Sequence, residues 1–511
     1  MTNIFKAHSD SHQNNPPILL SLIIILTLSL LLHVFSMASI DLLVEEAYYW
    51  NYAQHLDFSY LDHPPMVAVL IKLFTTVFGQ HDFSVRLASF LCWFLAMFFS
   101  YKLTSLIQRN AGLYSVMLLS ILPFFFCQTL FITPDLPLIA CWSASLYFLY
   151  RALVLNEGNC WYLAGIWLGL GMLSKYTIVL LGLATLFYIT TTPSARFWFK
   201  RKEPYIATLI AALVFSPVIY WNATHEWISF LFQSKRRFAS TTSTDLHYLL
   251  TLVFLFITPL GVFGLWELLK KNIIDNAHDV SNAKRFMRIF ILIPLIFFAL
   301  FSLNHEINLN WIGPLFLALI PWLAMLMANN SLKRNFWLAS AFFLLVCYGG
   351  VTLFALFNSS EVAQEKIFIK MVAWERLIKQ FHQLAEQIES ETQKAPIFIP
   401  LDNFPIGSEL SFYQTKFLHQ GTVKKVYPIF GAHIFGLESL MYRYWSEGIK
   451  LADRPLILIS KELWRFDMPD INKLTNEQSK LKKIWSYGQG QGIKNIPFYY
   501  KVVIMKEAQP I

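Results

Sequence analysis

Apolar runs long enough to cross a bilayer recur along the first two thirds of this chain, separated by short polar turns. A spanning helix needs about 20 apolar residues. On that measure the pattern predicts spans at 17–36, 84–107, 112–132, 134–154, 160–173, 175–190, 204–221, 247–269, 289–303, 310–328 and 335–357. The pair 160–173 and 175–190 is short. The apolar segment 65–78 is too short to span and reads as interfacial or re-entrant. Past residue 360 the periodicity changes. A polar helical stretch rich in Glu, Gln and Lys covers 361–390. Short β-like runs follow at Ile397-Phe398-Ile399, Leu456-Ile457-Leu458-Ile459 and Tyr499 to Met505, with helical pieces such as Leu437 to Trp445 between them. That alternation predicts a small α/β domain.

The fold expected is a polytopic α-helical membrane protein, with about 11 spans plus interfacial helices, and a small C-terminal α/β domain. The domains are 1–360, with long loops at 37–83 and 222–246, and 361–511. Ser36-Met37-Ala38 offers small residues for signal cleavage. The stretch before the first run has one Lys and no Arg, and the run is long for a signal peptide, so it is expected to stay as an anchor.

Composition agrees. Of 511 residues, 56% are hydrophobic and 14% charged, against about 25% charged in soluble domains. The net charge of +9 does not argue for nucleic acid, because the cations cluster at the ends of apolar runs, as the positive-inside rule requires. Four cysteines lie in apolar runs and Cys160 at the edge of one, with no zinc-type or redox-type spacing, so no disulfide is expected.

The cations also set an orientation. Arg109, Arg151, Arg196, Lys200, Arg201, Lys202, Lys270, Lys271, Lys284, Arg285, Arg288, Lys333 and Arg334 fall in one set of alternate loops, predicted cytoplasmic. The opposite face takes loop 37–83, the turns at Thr133-Pro134-Asp135 and Ser174-Lys175, and loops 222–246 and 304–309. An odd number of spans then puts 361–511 on that outer face and the N-terminus inside.

The polar groups with chemical potential lie on that outer face. Glu45-Glu46-Ala47-Tyr48-Tyr49-Trp50 joins two carboxylates to aromatics. A carboxylate can accept a proton from an attacking hydroxyl, and aromatic rings can stack on a sugar; acids at a helix start and aromatics at a membrane interface explain the same residues structurally. Asp62-His63-Pro64-Pro65 reads as a Pro-started helix whose N-terminus can hold a phosphate, with His63 as a switchable donor. In Thr133-Pro134-Asp135, Thr133 reads as an N-cap and Asp135 as a first-turn acid; an acid at a membrane edge is costly and often functional. Lys175 sits against the charge bias, where a snorkelling lysine is the plain alternative. The loop from Trp221-Asn222-Ala223-Thr224-His225-Glu226-Trp227 to Lys235-Arg236-Arg237 carries three consecutive cations, suited to a lipid phosphate or to anionic headgroups.

Glu45 to Trp50, followed by Ser59-Tyr60-Leu61-Asp62-His63-Pro64-Pro65-Met66, resembles the first outer loop of bacterial family 39-like, protein-mannosyltransferase-related glycosyltransferases of the GT-C superfamily, relatives of the aminoarabinose and Rgt-type lipopolysaccharide transferases. Further matching strings are Phe83-Ser84-Val85-Arg86-Leu87, Thr133 to Leu138, Leu173-Ser174-Lys175-Tyr176-Thr177, Trp221 to Trp227, Asn310-Trp311-Ile312-Gly313-Pro314 and Ser408-Glu409-Leu410-Ser411-Phe412-Tyr413. The resemblance runs in order over about residues 40–445.

The resemblance implies a polyprenyl-phosphate sugar donor, a periplasmic active site at the bacterial inner membrane, and inversion at the anomeric carbon. The family's usual first-loop pair is Asp-Glu; here it is Glu45-Glu46, a longer arm. Some relatives carry Lys where this chain has His63. The roles expected are Glu45, Glu46 and Asp135 as catalytic acids, and His63, Lys175, Arg236 and Arg237 on the donor phosphate. Tyr48, Tyr49, Asp62, Arg86, His225 and Glu226 are expected to contact substrate. No cofactor is firmly implied, and a divalent metal is compatible with the acids. The acceptor expected is lipid A, a core sugar or another envelope glycan. Other readings stay open: protein O-glycosylation, a lipid-linked-sugar flippase or transporter, and an inactive lipid-binding scaffold. Charges at span ends, rather than near the midplane, disfavour transport.

Overall fold

The computed structural model describes residues 16–238, 246–270, 278–305, 307–308, 310–357, 374–486 and 496–506. In chain order the helices are α1 Pro16–Ser39, α2 Val44–Gln54, α3 Met66–Phe78, α4 Asp82–Ile107, α5 Gly112–Ile121, α6 Pro123–Thr129, α7 Asp135–Leu153 and α8 Cys160–Met172. They continue as α9 Val179–Thr191, α10 Glu203–Thr224, α11 Ile228–Phe238, α12 Leu246–Leu269, α13 His278–Phe301, α14 Ile320–Asn329, α15 Ser331–Phe357, α16 Trp374–Thr392 and α17 Pro405–His419. Five strands follow the same order: β1 Ile397–Pro400, β2 Leu456–Ser460, β3 Thr475–Glu477, β4 Lys482–Trp485 and β5 Pro497–Met505.

Helix covers most of each predicted span except 310–328, which is a 3-10 segment, Gly313–Ala318, followed by the ten-residue α14. Among the described residues six helices are long and apolar enough to cross a membrane, and up to eight if each of two bent pairs is one span. Both bends fall at prolines. The predicted span 112–132 breaks at Pro123 by 65°, and the helix ending at Thr191 turns by 111° into a 3-10 segment, Pro193–Lys200. A proline lacks the N–H that would continue the ladder and disfavours helix in the residue before it. α12 is also interrupted beside a proline: Thr258, at a positive φ of 64°, leaves the helix just before Pro259.

The chain divides into two compact units. The first holds residues 1–37, 63–67 and 86–352; the second holds 38–62, 68–85 and 353–511. By its contacts, then, most of the first long loop groups with the C-terminal portion of the chain.

In the first unit α8 packs against both α7 and α10. Gly165 and Gly169, one turn apart on α8, make the second contact close. A Cβ at Gly165 would fall 2.4 Å from the Ala207 carbonyl oxygen, and one at Gly169 would fall 2.6 Å from Val214 Cβ. Small residues four apart let membrane helices approach backbone to backbone, which compensates for the shortness of α8. The first helix is tied in by Ser29 Oγ, which donates to the Ser120 carbonyl at 2.8 Å.

In the second unit the sheet order is β1-β2-β5-β3, with β4 also pairing β5. The β1–β2 pair is parallel and the pairs with β5 are antiparallel. β1 and β2 are buried at every residue, which is why they read as unbroken apolar runs. Ile397, Ile399, Leu456, Leu458, Phe430 and Phe435 form the core. Two sequence expectations change here. The stretch 437–445 is helical only at Tyr442–Trp445. The polar helix is Trp374–Thr392, and the part of the predicted stretch before residue 374 lies outside the described residues.

Candidate active-site groups

In the first unit two turns close on one another. Pro134 immediately precedes α7, and Ser174 Oγ donates to the Pro134 carbonyl at 2.6 Å. Lys175 Nζ then meets Asp135 Oδ1 at 2.7 Å, and Asn310 Nδ2 donates to Asp135 Oδ2 at 2.5 Å. Asp135 is 2% exposed and the Lys175 side chain 11%. A buried acid is tolerable only when paired and hydrogen-bonded, and both oxygens here have a partner. The segment carrying His63 joins the same turns: Met66 N–H donates to the Leu173 carbonyl at 3.0 Å, and His63 is half-buried. The expected cap does not form. Thr133 contributes its carbonyl to Leu136 N–H, while its buried hydroxyl has no hydrogen-bond partner.

Arg86 is fully buried. Its guanidinium donates to the Met37 carbonyl at 2.9 Å and lies 5.6 Å from the Phe131 ring centroid. It therefore ties the end of α1 to the helices around it. His225 stacks on Trp221 with centroids 4.1 Å apart, and its Nδ1 lies 2.8 Å from the Trp221 carbonyl. That closes the end of α10, while Glu226 beside it is exposed and adopts a positive φ of 54°. Arg236 and Arg237 lie on α11, with their side chains outside the described residues.

In the second unit α2 carries the acid pair and packs against α17. Glu46 is fully buried, and its Oε2 accepts the Leu43 N–H at 3.0 Å, closing the helix start. Glu45, in the same first turn, is half-buried. Tyr48 and Tyr49 are buried rather than offered as open stacking faces. The Tyr48 hydroxyl donates to Asp62 Oδ1 at 3.3 Å, Tyr52 hydrogen-bonds the same oxygen, and Tyr48 packs 4.7 Å from Phe404. Burial first, then the Asp62 charge, pushes both phenols well above their usual range, so they act as donors to Asp62.

Sequence reasoning passed over α17 as chemistry. Glu409 is fully buried, and neither of its carboxylate oxygens has a hydrogen-bond partner. The buried Tyr413 hydroxyl, one turn on, has none either. Burial, followed by the charges of Asp41, Asp82, Glu46 and Glu45, holds the Glu409 carboxyl well above the ordinary range and favours its protonated form. On the same helix Lys416 bonds Asp82 at 2.6 Å and Glu375 at 3.1 Å. Burial opposes its charge, but these acids outweigh burial and raise it. Asp402 Oδ2 accepts the Ile406 N–H at 2.9 Å at the start of α17, and burial pushes its carboxyl up to about 6. Asn310 and Glu409 stood inside strings already noted, but a lone polar residue in an apolar run carries no local sign of its partner.

Among the described residues no group of three or more His, Cys, Asp or Glu could hold a metal ion. The structure thus brings Asp135 and Lys175 together with Asn310 in the first unit, and Tyr48 with Asp62 in the second.

Residues 62–221 match the family model of dolichyl-phosphate-mannose-protein mannosyltransferases. A curated relative, the lipid A galacturonosyltransferase RgtD of Rhizobium johnstonii, is 24% identical over 188 residues, 36% of this chain. The chain spans 39% of the length of that relative. Among solved structures, apo ArnT from Cupriavidus metallidurans superposes with a TM-score of 0.60 at 13% identity, over 94% of this chain and 97% of that one. The same protein bound to undecaprenyl phosphate gives 0.58 at 14% identity, over 96% and 99%. At such identities the structural likeness is one of fold.

Proposed function

We propose that this chain, a GT-C superfamily glycosyltransferase of the family 39-like kind, moves a sugar from a polyprenyl-phosphate donor to a lipid A, lipopolysaccharide or other envelope-glycan acceptor at the periplasmic face of a bacterial inner membrane. The observation that carries the reading is the Asp135–Lys175–Asn310 cluster. A nearly buried cation is held in place by an acid whose second oxygen is separately bonded. Such an ammonium is already oriented for a phosphate, and charge-assisted bonds are about twice as strong as neutral ones. The fold matches a protein seen with undecaprenyl phosphate, a ligand of that chemistry.

In this reading an acceptor hydroxyl attacks the anomeric carbon and the bond from that carbon to the phosphate oxygen breaks, inverting the centre. The hydroxyl proton passes to Glu45, and the departing phosphate charge is balanced by Lys175, with His63, Arg236 and Arg237 in support. Glu46 is engaged at the start of α2, which favours Glu45 as the base. Tyr49, Asp62, His225 and Glu226 are assigned to substrate, and the burial of Tyr48 and Arg86 favours a supporting role for both.

The decisive variant is Glu45→Gln, which keeps shape and removes basicity. A positioned base contributes about 10²–10⁴-fold. The variant is expected to accumulate normally in membranes and to lose transfer roughly a hundredfold in an assay with a polyprenyl-phosphate sugar. Glu45→Asp is expected to keep much of the activity. Normal transfer by Glu45→Gln would move the base to Glu46 or Asp135. The orientation has its own check: a tag after residue 511 should be reached by impermeant reagent in sealed spheroplasts, and labelling only after permeabilisation would reverse it.

A further inference from the structure

A cavity lined by none of the groups above lies in the first unit between α7, α8, α9 and α10. It encloses about 320 Å³ and its walls are almost wholly apolar, including Leu149, Trp161, Leu168, Leu186, Trp198 and Tyr205. That volume is at the lower end of ligand sites, roughly 300–1,000 Å³. Its opening is marked by wall residues that are themselves exposed: Leu186 at 52%, Phe199 at 43% and Tyr205 at 58%.

The rim explains what such a cavity holds. At Thr192-Pro193 the chain turns by 111° into the 3-10 segment Pro193–Lys200. That segment presents Phe197 and Phe199 beside exposed Arg196, Lys200, Arg201 and Lys202. Over 196–203 there are four cations and one acid, Glu203. Arg201 is committed to Glu203, and Arg196 Nε donates to the Thr190 carbonyl at 3.1 Å. Exposed apolar rings alternating with cations are the composition of a segment lying at a lipid interface. Cations at that level attract anionic headgroups.

We infer that this cavity is a lipid site that takes one acyl chain of an anionic glycerophospholipid, with its headgroup phosphate met by Lys200 and Lys202. An apolar slot alone would accept any chain, and a cationic rim alone would accept any phosphate. Their juxtaposition selects a molecule that has both. Gly182 shows that the space is empty of protein: a Cβ built there meets no heavy atom within 4 Å, although Gly182 lines the cavity.

The test uses the full-length protein, delipidated in detergent and titrated with phosphatidylglycerol, with phosphatidylcholine of the same chains, with undecaprenyl phosphate and with inorganic phosphate, bound lipid being counted by native mass spectrometry. Wild type should retain one phosphatidylglycerol with at least about tenfold preference over phosphatidylcholine, in line with cations near a lipid surface. Gly182→Phe, which fills the slot, should lose that retention. Lys200→Gln/Lys202→Gln, at exposed positions that leave the packing alone, should keep weak binding and lose the preference, which keeps the proposal testable if Gly182→Phe folds poorly. Equal retention of the two phospholipids by wild type would overturn the proposal. So would unchanged selectivity in the lysine double variant, or full competition by inorganic phosphate. Displacement of phosphatidylglycerol by equimolar undecaprenyl phosphate would overturn it too, by assigning the slot to the tail of the donor.

Discussion

Asp135 in the first unit and Glu409 in the second are buried to the same degree, 2% and 0% exposed, yet they are accommodated in opposite ways. Asp135 has a cation on one oxygen and an amide on the other. Glu409 has no hydrogen-bond partner on either oxygen and sits in the field of Asp41, Asp82, Glu46 and Glu45. A buried carboxyl can be neutralised by a partner or by a proton, and this protein uses both. A paired acid can orient a cation for catalysis. An acid held by its proton contributes no charge, and its surroundings become sensitive to alkali. Lys416 on the same helix as Glu409 shows that cations are not lacking there; that one is taken by Asp82 and Glu375.

The largest expected effect comes from breaking the pair. Lys175→Ala strands Asp135 in a buried position, and removing one partner of a buried pair costs roughly 3–5 kcal/mol. The apparent melting temperature should fall markedly, and transfer from a polyprenyl-phosphate donor should drop by tenfold or more, since a charge-assisted bond contributes about 1.5–3 kcal/mol. Lys175→Met combined with Asp135→Asn should recover much of the stability without recovering transfer. Recovery of both would remove the phosphate role from Lys175.

Asp402 should show an intermediate effect with a defined pH window. Its carboxyl lies at about 6 in the folded chain, raised from 3.8. The stabilisation linked to its proton is complete below pH 3.8 and is lost as pH rises through about 6. Asp402→Asn keeps an oxygen for the Ile406 N–H and removes the ionisation. Melting curves from pH 4 to 7 should therefore fall less steeply for the variant, by about 2–3 kcal/mol over the window. Parallel curves would mean that Asp402 is solvated in the folded chain.

The variant with the smallest effect near pH 5 sharpens the comparison most. Glu409→Gln replaces a protonated acid by its near-isostere, so stability near pH 5 should hardly change. The raised folded value means that the wild type loses stability as pH rises through it, whereas the Gln variant does not. The variant should consequently melt above wild type at alkaline pH. A loss comparable with that of Lys175→Ala at pH 5 would show that Glu409 is held as a charged, partnered acid after all.

Local pattern alone determined a good deal here. Twenty-residue apolar runs predicted the helices, unbroken apolar runs predicted the buried strands β1 and β2, and Pro64-Pro65 foretold the start of α3. These depend on residues within a turn or two of each other. Breaks were less legible: Pro123 bends a predicted span, and Thr258 leaves the helix before Pro259, because a membrane run tolerates prolines whenever its neighbours satisfy the freed groups. The strand β3 is polar and mostly exposed, and β4 begins with two exposed lysines; their pairing with β5 is what makes them strands. The partners of the acids were beyond local pattern altogether. Asp135 meets Lys175 across 40 residues and Asn310 across 175. Glu409 acquires four acidic neighbours from the first loop, more than 320 positions earlier in the chain. Hydropathy reports whether a residue is buried, while its charge state follows from what tertiary packing places beside it.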